Sequence, residues 1–152
     1  MKINGLALLG ILISVSVFAE PGTYEGGGRG RQFGESEGTY TAKLTLTEIS
    51  PKSVYQVDES WTDDKGKTGT SSLTFHFNSD GTFKVKRKDV EVGCGYSFDD
   101  AEGHWMDYRI QTEHGPMHIN QYYSKTEKAL HRLGDGILNG KVMFWTDNLI
   151  KK

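Results

Sequence analysis

The feature that most constrains this chain is an alternation of period two that returns in run after run. Tyr40, Ala42, Leu44 and Leu46 share one face, with Thr39, Thr41, Lys43, Thr45 and Thr47 on the other. Tyr55, Val57 and Trp61 oppose Gln56, Asp58, Ser60 and Thr62; Leu73, Phe75 and Phe77 oppose Thr74, His76 and Asn78. Phe83 and Val85 alternate with lysines, and Val90, Val92, Cys94, Tyr96 and Phe98 form the cleanest stripe. Met106, Tyr108 and Ile110 follow, then Met117, Ile119 and Tyr123, then a last run around Val142 to Trp145. Successive side chains of a strand point to opposite faces, so this pattern specifies half-buried strands. Turn-forming stretches separate the runs: Asp63-Asp64-Lys65-Gly66, Asn78-Ser79-Asp80-Gly81, His114-Gly115-Pro116 and Asn139-Gly140. Asn-Gly and Asp-Gly suit the tight turns of two-stranded hairpins. Lys125 to Leu133 is the one segment read as a helical turn.

About ten strands joined by short turns make an antiparallel up-and-down meander. Closing that meander removes its two open edges and explains why only one face of each strand is apolar. The expected fold is therefore an all-β, about ten-stranded meander barrel. A two-sheet β-sandwich is the alternative, because period two serves both.

The first residues read MKINGLALLGILISVSVFAEPG. Lys2 precedes an apolar run from Leu6 to Val17, followed by Val17-Phe18-Ala19. This is the build of a secretory leader, and the run is too short for a membrane span of roughly 20 residues. The expectation is a signal peptide over 1–19 and one domain over 20–152, exported to a periplasm or secreted, with no membrane span in the mature chain. The charge of −2 becomes −3 without Lys2, which argues against nucleic acid as a partner. Cys94 is the only cysteine, so no internal disulfide forms. It is read as a buried apolar thiol.

Tyr24-Glu25-Gly26-Gly27-Gly28-Arg29-Gly30-Arg31-Gln32-Phe33 lacks the lysine, hydroxyl residue and following helix of a phosphate-binding loop. It reads instead as a first strand crossing a crowded place. Gly26, Gly28 and Gly30 share a face with Tyr24; they let neighbouring groups approach and permit the bend that closes a barrel. Arg29 and Arg31 then point to solvent. The stretch from Gly22 to Gly30 resembles the Gly-x-Trp-x-Gly-x-Gly first strand of lipocalin-like (calycin) barrels of the nitrobindin and fatty-acid-binding-protein type, with Tyr24 in place of the tryptophan. The resemblance implies a barrel that holds a small, mostly apolar molecule. Nitrobindin-like members hold haem through a histidine, which maps onto no residue here.

Three polar residues fall in line with apolar stripes: Glu59 between Val57 and Trp61, Arg87 beyond Val85, and His104 before Met106. Glu59 and Arg87 are candidates to pair inside, or Arg87 to grip a ligand carboxylate. The expected ligand-binding residues are Leu46, Tyr55, Val57, Glu59, Phe75, Phe83, Arg87, Val92, Tyr96, Met106, Tyr108 and Ile119. His114 and His118 flank Gly115-Pro116, which forbids the helix that would align them as metal ligands, so no metal is expected. No cofactor is expected either; haem through His104 or His131 is the alternative. No catalytic motif is found, Gly-x-Ser-x-Gly included. The chain is read as a non-enzymatic binding protein for a small apolar or amphipathic molecule. The alternative is an interaction module or inhibitor that meets another protein through Trp105 and Tyr122.

Overall fold

The computed structural model describes residues 19–31, 36–125 and 129–152. The expected leader lies outside the described residues except for Ala19, which is buried in the core. Ten strands follow in order: β1 (Gly22–Arg31), β2 (Gly38–Ser50), β3 (Val54–Asp63), β4 (Thr68–Phe77), β5 (Thr82–Arg87), β6 (Val90–Asp99), β7 (Gly103–Thr112), β8 (Gly115–Lys125), β9 (Ala129–Leu138) and β10 (Lys141–Lys151). Each pairs antiparallel with its sequence neighbours, and β1 also pairs with β10, so the sheet closes. The barrel is the expected meander; the sandwich alternative is excluded. No described helix is long and apolar enough to cross a membrane.

The four turn stretches the sequence names all join or border successive strands. Asn139 and Gly140 both take positive φ (51° and 74°) between β9 and β10, the conformation of a two-residue hairpin. Lys88 and Asp89 make the same kind of turn between β5 and β6, at φ 48° and 64°, without the residues that favour it. Except for Ile49 and Val54 near the β2–β3 turn, the apolar side chains of β2 to β5 point inward and their Thr, Ser, Gln and Lys neighbours outward, the reverse of a lipid-spanning barrel.

Two expectations fail here. Of the segment read as a helical turn, Lys125 ends β8 and 129–133 open β9; 126–128 lie outside the described residues. The clean stripe of β6 faces outward: Val90, Tyr96 and Phe98 are exposed, and so is Cys94. The cause is the alternate set of β6, Gly93 and Gly95. They sit opposite Val85 and Phe83 on β5 and opposite Ile110 and Tyr108 on β7. A Cβ on either glycine would collide with the carbonyl oxygens of Arg109 and Asp107. The strands coil so tightly there that only glycine fits, and Phe83 and Tyr108 take the interior volume. Val92 is the extra residue of a bulge against β5, and packs at the margin of the core.

The glycines of β1 have the same cause. A Cβ on Gly26, Gly28 or Gly30 would strike the backbone of β10, the mildest clash being 2.7 Å from the carbonyl oxygen of Phe144. Close strand approach is what these positions require. Arg29 is exposed and pairs with Glu37 at 2.8 Å.

The interior divides along the barrel axis. One end is solid, filled by Leu44, Leu46, Tyr55, Phe83, Met106, Leu130 and Leu149, all at or below 2 % exposure. Phe75, Phe77, Phe83 and Tyr108 form an aromatic cluster with centroids 5.1 to 6.3 Å apart; Phe75 stacks on Phe77, and the other pairs are tilted or edge-on. The other end, below the β3–β4 and β9–β10 hairpins, is hollow.

Candidate functional site

The hollow end is a cavity of about 300 Å³, at the lower bound of small-molecule sites. Its walls are aliphatic and aromatic: Val57, Leu73, Phe75, Ile119 and Met117 line it. Trp61 and Trp145 also line it. Each lies directly opposite a glycine of the next strand, Gly69 and Gly134, and a Cβ there would enter the indole ring. Each indole is thus seated on bare backbone of the adjacent strand.

The floor is polar and buried. Arg132 of β9 and Asp147 of β10 are direct cross-strand partners, 3 % and 2 % exposed. Arg132 donates from Nε to Asp147 Oδ1 at 2.9 Å and from Nη2 to Asp147 Oδ2 at 2.6 Å, a bidentate clasp. Nη2 also donates to Glu59 Oε1 of β3 at 2.6 Å. Tyr40 donates its hydroxyl to Asp147 Oδ2 at 2.9 Å, and Tyr108 donates to Gln121 Oε1 at 3.2 Å. Burial alone would pull the Arg132 guanidinium down, but Glu59 and Asp147 outweigh it and hold it well above its ordinary range. Burial, followed by the Asp147 charge, pushes the Tyr40 hydroxyl far up. Burial, followed by the Glu59 charge, does the same to Tyr108. The floor thus sets a charged guanidinium and neutral hydroxyls against the carboxyl groups of Asp147 and Glu59.

The expected ligand-binding residues fall into three sets. Val57, Glu59, Phe75, Tyr108 and Ile119 line the cavity. Leu46, Tyr55, Phe83 and Met106 are buried in the solid end. Arg87, Val92 and Tyr96 do not reach the cavity. Arg87 is exposed at the last position of β5, where a long charged side chain finds water easily; Tyr96 faces outward for the reason given for β6. Glu59 thus pairs with Arg132, which the sequence reading missed, and not with Arg87. Asp147, Tyr40 and Gln121 were missed as well.

The histidines lie elsewhere. His104 is buried, its Nδ1 2.9 Å from Asp99 and its ring edge-on to Phe77. His131 is exposed and hydrogen-bonds Asn148. Neither lines the cavity, so these residues do not fit haem held there through either one. His118 bonds Asp107 on the outer wall at 2.9 Å, and His114 is exposed.

Fold and site together define a closed ten-stranded antiparallel barrel, lipocalin-like in architecture, solid at one end and hollow at the other over a buried Arg–Asp–Glu cluster. No protein-family model matches the sequence, and no curated protein does. Among solved structures, the S-type phycobiliprotein lyase from Guillardia theta is similar. It is 9 % identical, over 91 % of this chain and 89 % of that one, with a TM-score of 0.54. At that identity the likeness is one of fold. It nevertheless overturns the expectation of a non-enzymatic chain. A protein named a lyase carries this architecture, and the missing motifs on which that expectation stood belong to other folds.

Proposed function

We propose that the protein takes a small amphipathic molecule into the hollow end of the barrel. The apolar body lies against Val57, Phe75 and Ile119 and between Trp61 and Trp145; the polar end reaches the floor. Desolvation of the body supplies the affinity, at about 25 cal/mol for each Å² of apolar surface removed from water. The floor groups fix orientation. The observation that carries this reading is the pairing of an apolar-walled cavity with a buried, charged floor. A scaffold with no occupant has no use for a hollow of this shape above Arg132 and Glu59. The reading agrees with the lipocalin-like resemblance of the nitrobindin and fatty-acid-binding type. Binding alone and chemistry on a bound molecule both start from it. Export through the leader over 1–19 is part of the proposal.

The experiment is native mass spectrometry on the protein purified from its own source. A small-molecule adduct, lost on unfolding and lost in a variant whose cavity is filled by Ile119→Trp, supports the reading. A clean mass of the chain alone, with no small molecule taken up from an extract, contradicts it.

A second reading has its own observation. Phe98, Trp105, Tyr122 and Leu133 are successive register partners across β6 to β9 on the outer face. Phe98 stacks on Trp105 at 6.2 Å and Trp105 meets Tyr122 at 4.4 Å. Phe98 and Leu133 are 54 % and 55 % exposed. An aromatic row of this kind suits contact with another protein.

A further inference from the structure

The charges of the floor do not balance. Arg132 brings one positive charge; Asp147 and Glu59 bring two negative ones. Among the described residues neither carboxylate has another cationic partner. The two are not equivalent. Asp147 is fully enclosed and uses both oxygens, on Arg132 and on Tyr40. Glu59 keeps 26 % of its side-chain surface and lines the cavity. Its Oε1 accepts from Arg132, and its Oε2 has no hydrogen-bond partner among the described residues. The unbalanced charge is therefore presented at one place, the free oxygen of Glu59 at the bottom of an apolar shaft.

The rim does not alter this. Arg31 and Lys65 stand there with Asp63 and Asp64, two charges of each sign at the solvent boundary, where screening is strong. An incoming carboxylate would meet a guanidinium already clasped by two carboxylates. A protonated nitrogen would meet an oxygen in need of a donor, in surroundings of low dielectric where such a bond is stronger than in water.

Resting on the reading of the cavity as a ligand site, we infer that its occupant is an organic cation. An alkylammonium, an amidinium or a protonated nitrogen heterocycle docks its nitrogen on Glu59 Oε2 and lays its apolar body along the walls. This reverses the expectation of an arginine that grips a ligand carboxylate. Glu59 selects the sign of the ligand; Arg132 and Asp147 position Glu59 and keep its other oxygen occupied.

The test uses the full chain carrying Trp105→Phe, so that Trp61 and Trp145, both on the cavity, are the remaining tryptophans. Decylamine, decanol and decanoate are titrated below micelle-forming concentrations at neutral pH, with tryptophan fluorescence as the readout. The amine should bind about ten- to a hundredfold tighter than the alcohol, the span that a hydrogen bond to a charged group supports, and the carboxylate weakest of the three. Glu59→Gln keeps an acceptor for Arg132 and should bring the amine down to the alcohol's affinity. Decanol binding as tightly as decylamine, or decanoate tighter than either, overturns the charge inference and leaves the cavity reading standing. No saturable binding by any of the three overturns both. The comparison on the protein with Glu59 intact decides the matter even if Glu59→Gln fails to fold.

Discussion

Replacing Arg132 with methionine should destabilise the barrel by about 3–5 kcal/mol at neutral pH, the cost of breaking a buried ion pair from one side. The structure says where the cost arises. Asp147 is enclosed and loses two of its three hydrogen bonds, retaining that from Tyr40. Glu59 loses its bond from Nη2 but still reaches the cavity, so its share is smaller. Methionine fills much of the vacated volume, which keeps a cavity term out of the measurement. A domain of this size shifts by about 3 °C for each kcal/mol, so the melting temperature should fall by roughly 10–15 °C. The assay is urea unfolding at neutral pH followed by circular dichroism. Adding Asp147→Asn and Glu59→Gln to Arg132→Met removes the stranded charges and should recover much of the loss. A single variant within about 1 kcal/mol of the parent at neutral pH, against the 3–5 expected for a buried pair, would refute the assignment of these groups as an enclosed ionic cluster.

Other outcomes follow from the same structure. Gly93→Ala places a Cβ against the Arg109 carbonyl and should cost more than about 2 kcal/mol in urea unfolding, or prevent recovery of folded protein. Lys88→Asn with Asp89→Gly supplies the residues preferred at a turn whose φ values are already positive. It should stabilise by about 0.5–1 kcal/mol in the same assay. Burial, followed by the hydrogen bond to Glu48, pushes the Tyr55 hydroxyl from 10.0 up to about 12. Tyr40, Tyr108 and Tyr123 are also raised, with burial the largest cause in each. A raised folded value contributes stability that is complete below pH 10 and lost as the pH climbs through the folded value. Phenolate absorbance should therefore arise from these four together with loss of the barrel's circular dichroism; full ionisation of a still-folded barrel would contradict their burial.

Much of the barrel was legible because its determinants are local. Period two in β2 to β5 and β7 to β8, and turns such as Asn139-Gly140, each specify one hairpin, and hairpins in series close. What misled was parity. In β6 the apolar set and the glycine set alternate equally well, and the tight approach of Arg109 and Asp107 decides that the glycines face in. β9 is harder still. Its inward residues are Leu130, Arg132, Gly134, Gly136 and Leu138, while Leu133 and Ile137 face water. Hydrophobicity along it carries no strand signal, and its first residues fall in the segment from Lys125 to Leu133 that reads as a helical turn. A signal did exist. A two-residue turn at Asn139-Gly140 pairs residues equally distant from it, and Arg132 and Asp147 each stand seven positions away. Asp147 also shares the face of Trp145 and Leu149, as Glu59 shares that of Val57 and Trp61. Two carboxylates inside apolar stripes require an interior cation, and Arg132 is where the register puts it. That one end stays hollow depends on how ten strands share their volume, which no single strand encodes.

The most direct measurement is a crystal structure of the protein grown with decylamine. The account predicts continuous density for one chain between Trp61 and Trp145, its nitrogen within hydrogen-bond distance of Glu59 Oε2 and the solid end unchanged. Side chains collapsed into the cavity, or amine density confined to the outer row at Phe98 and Trp105, would contradict it.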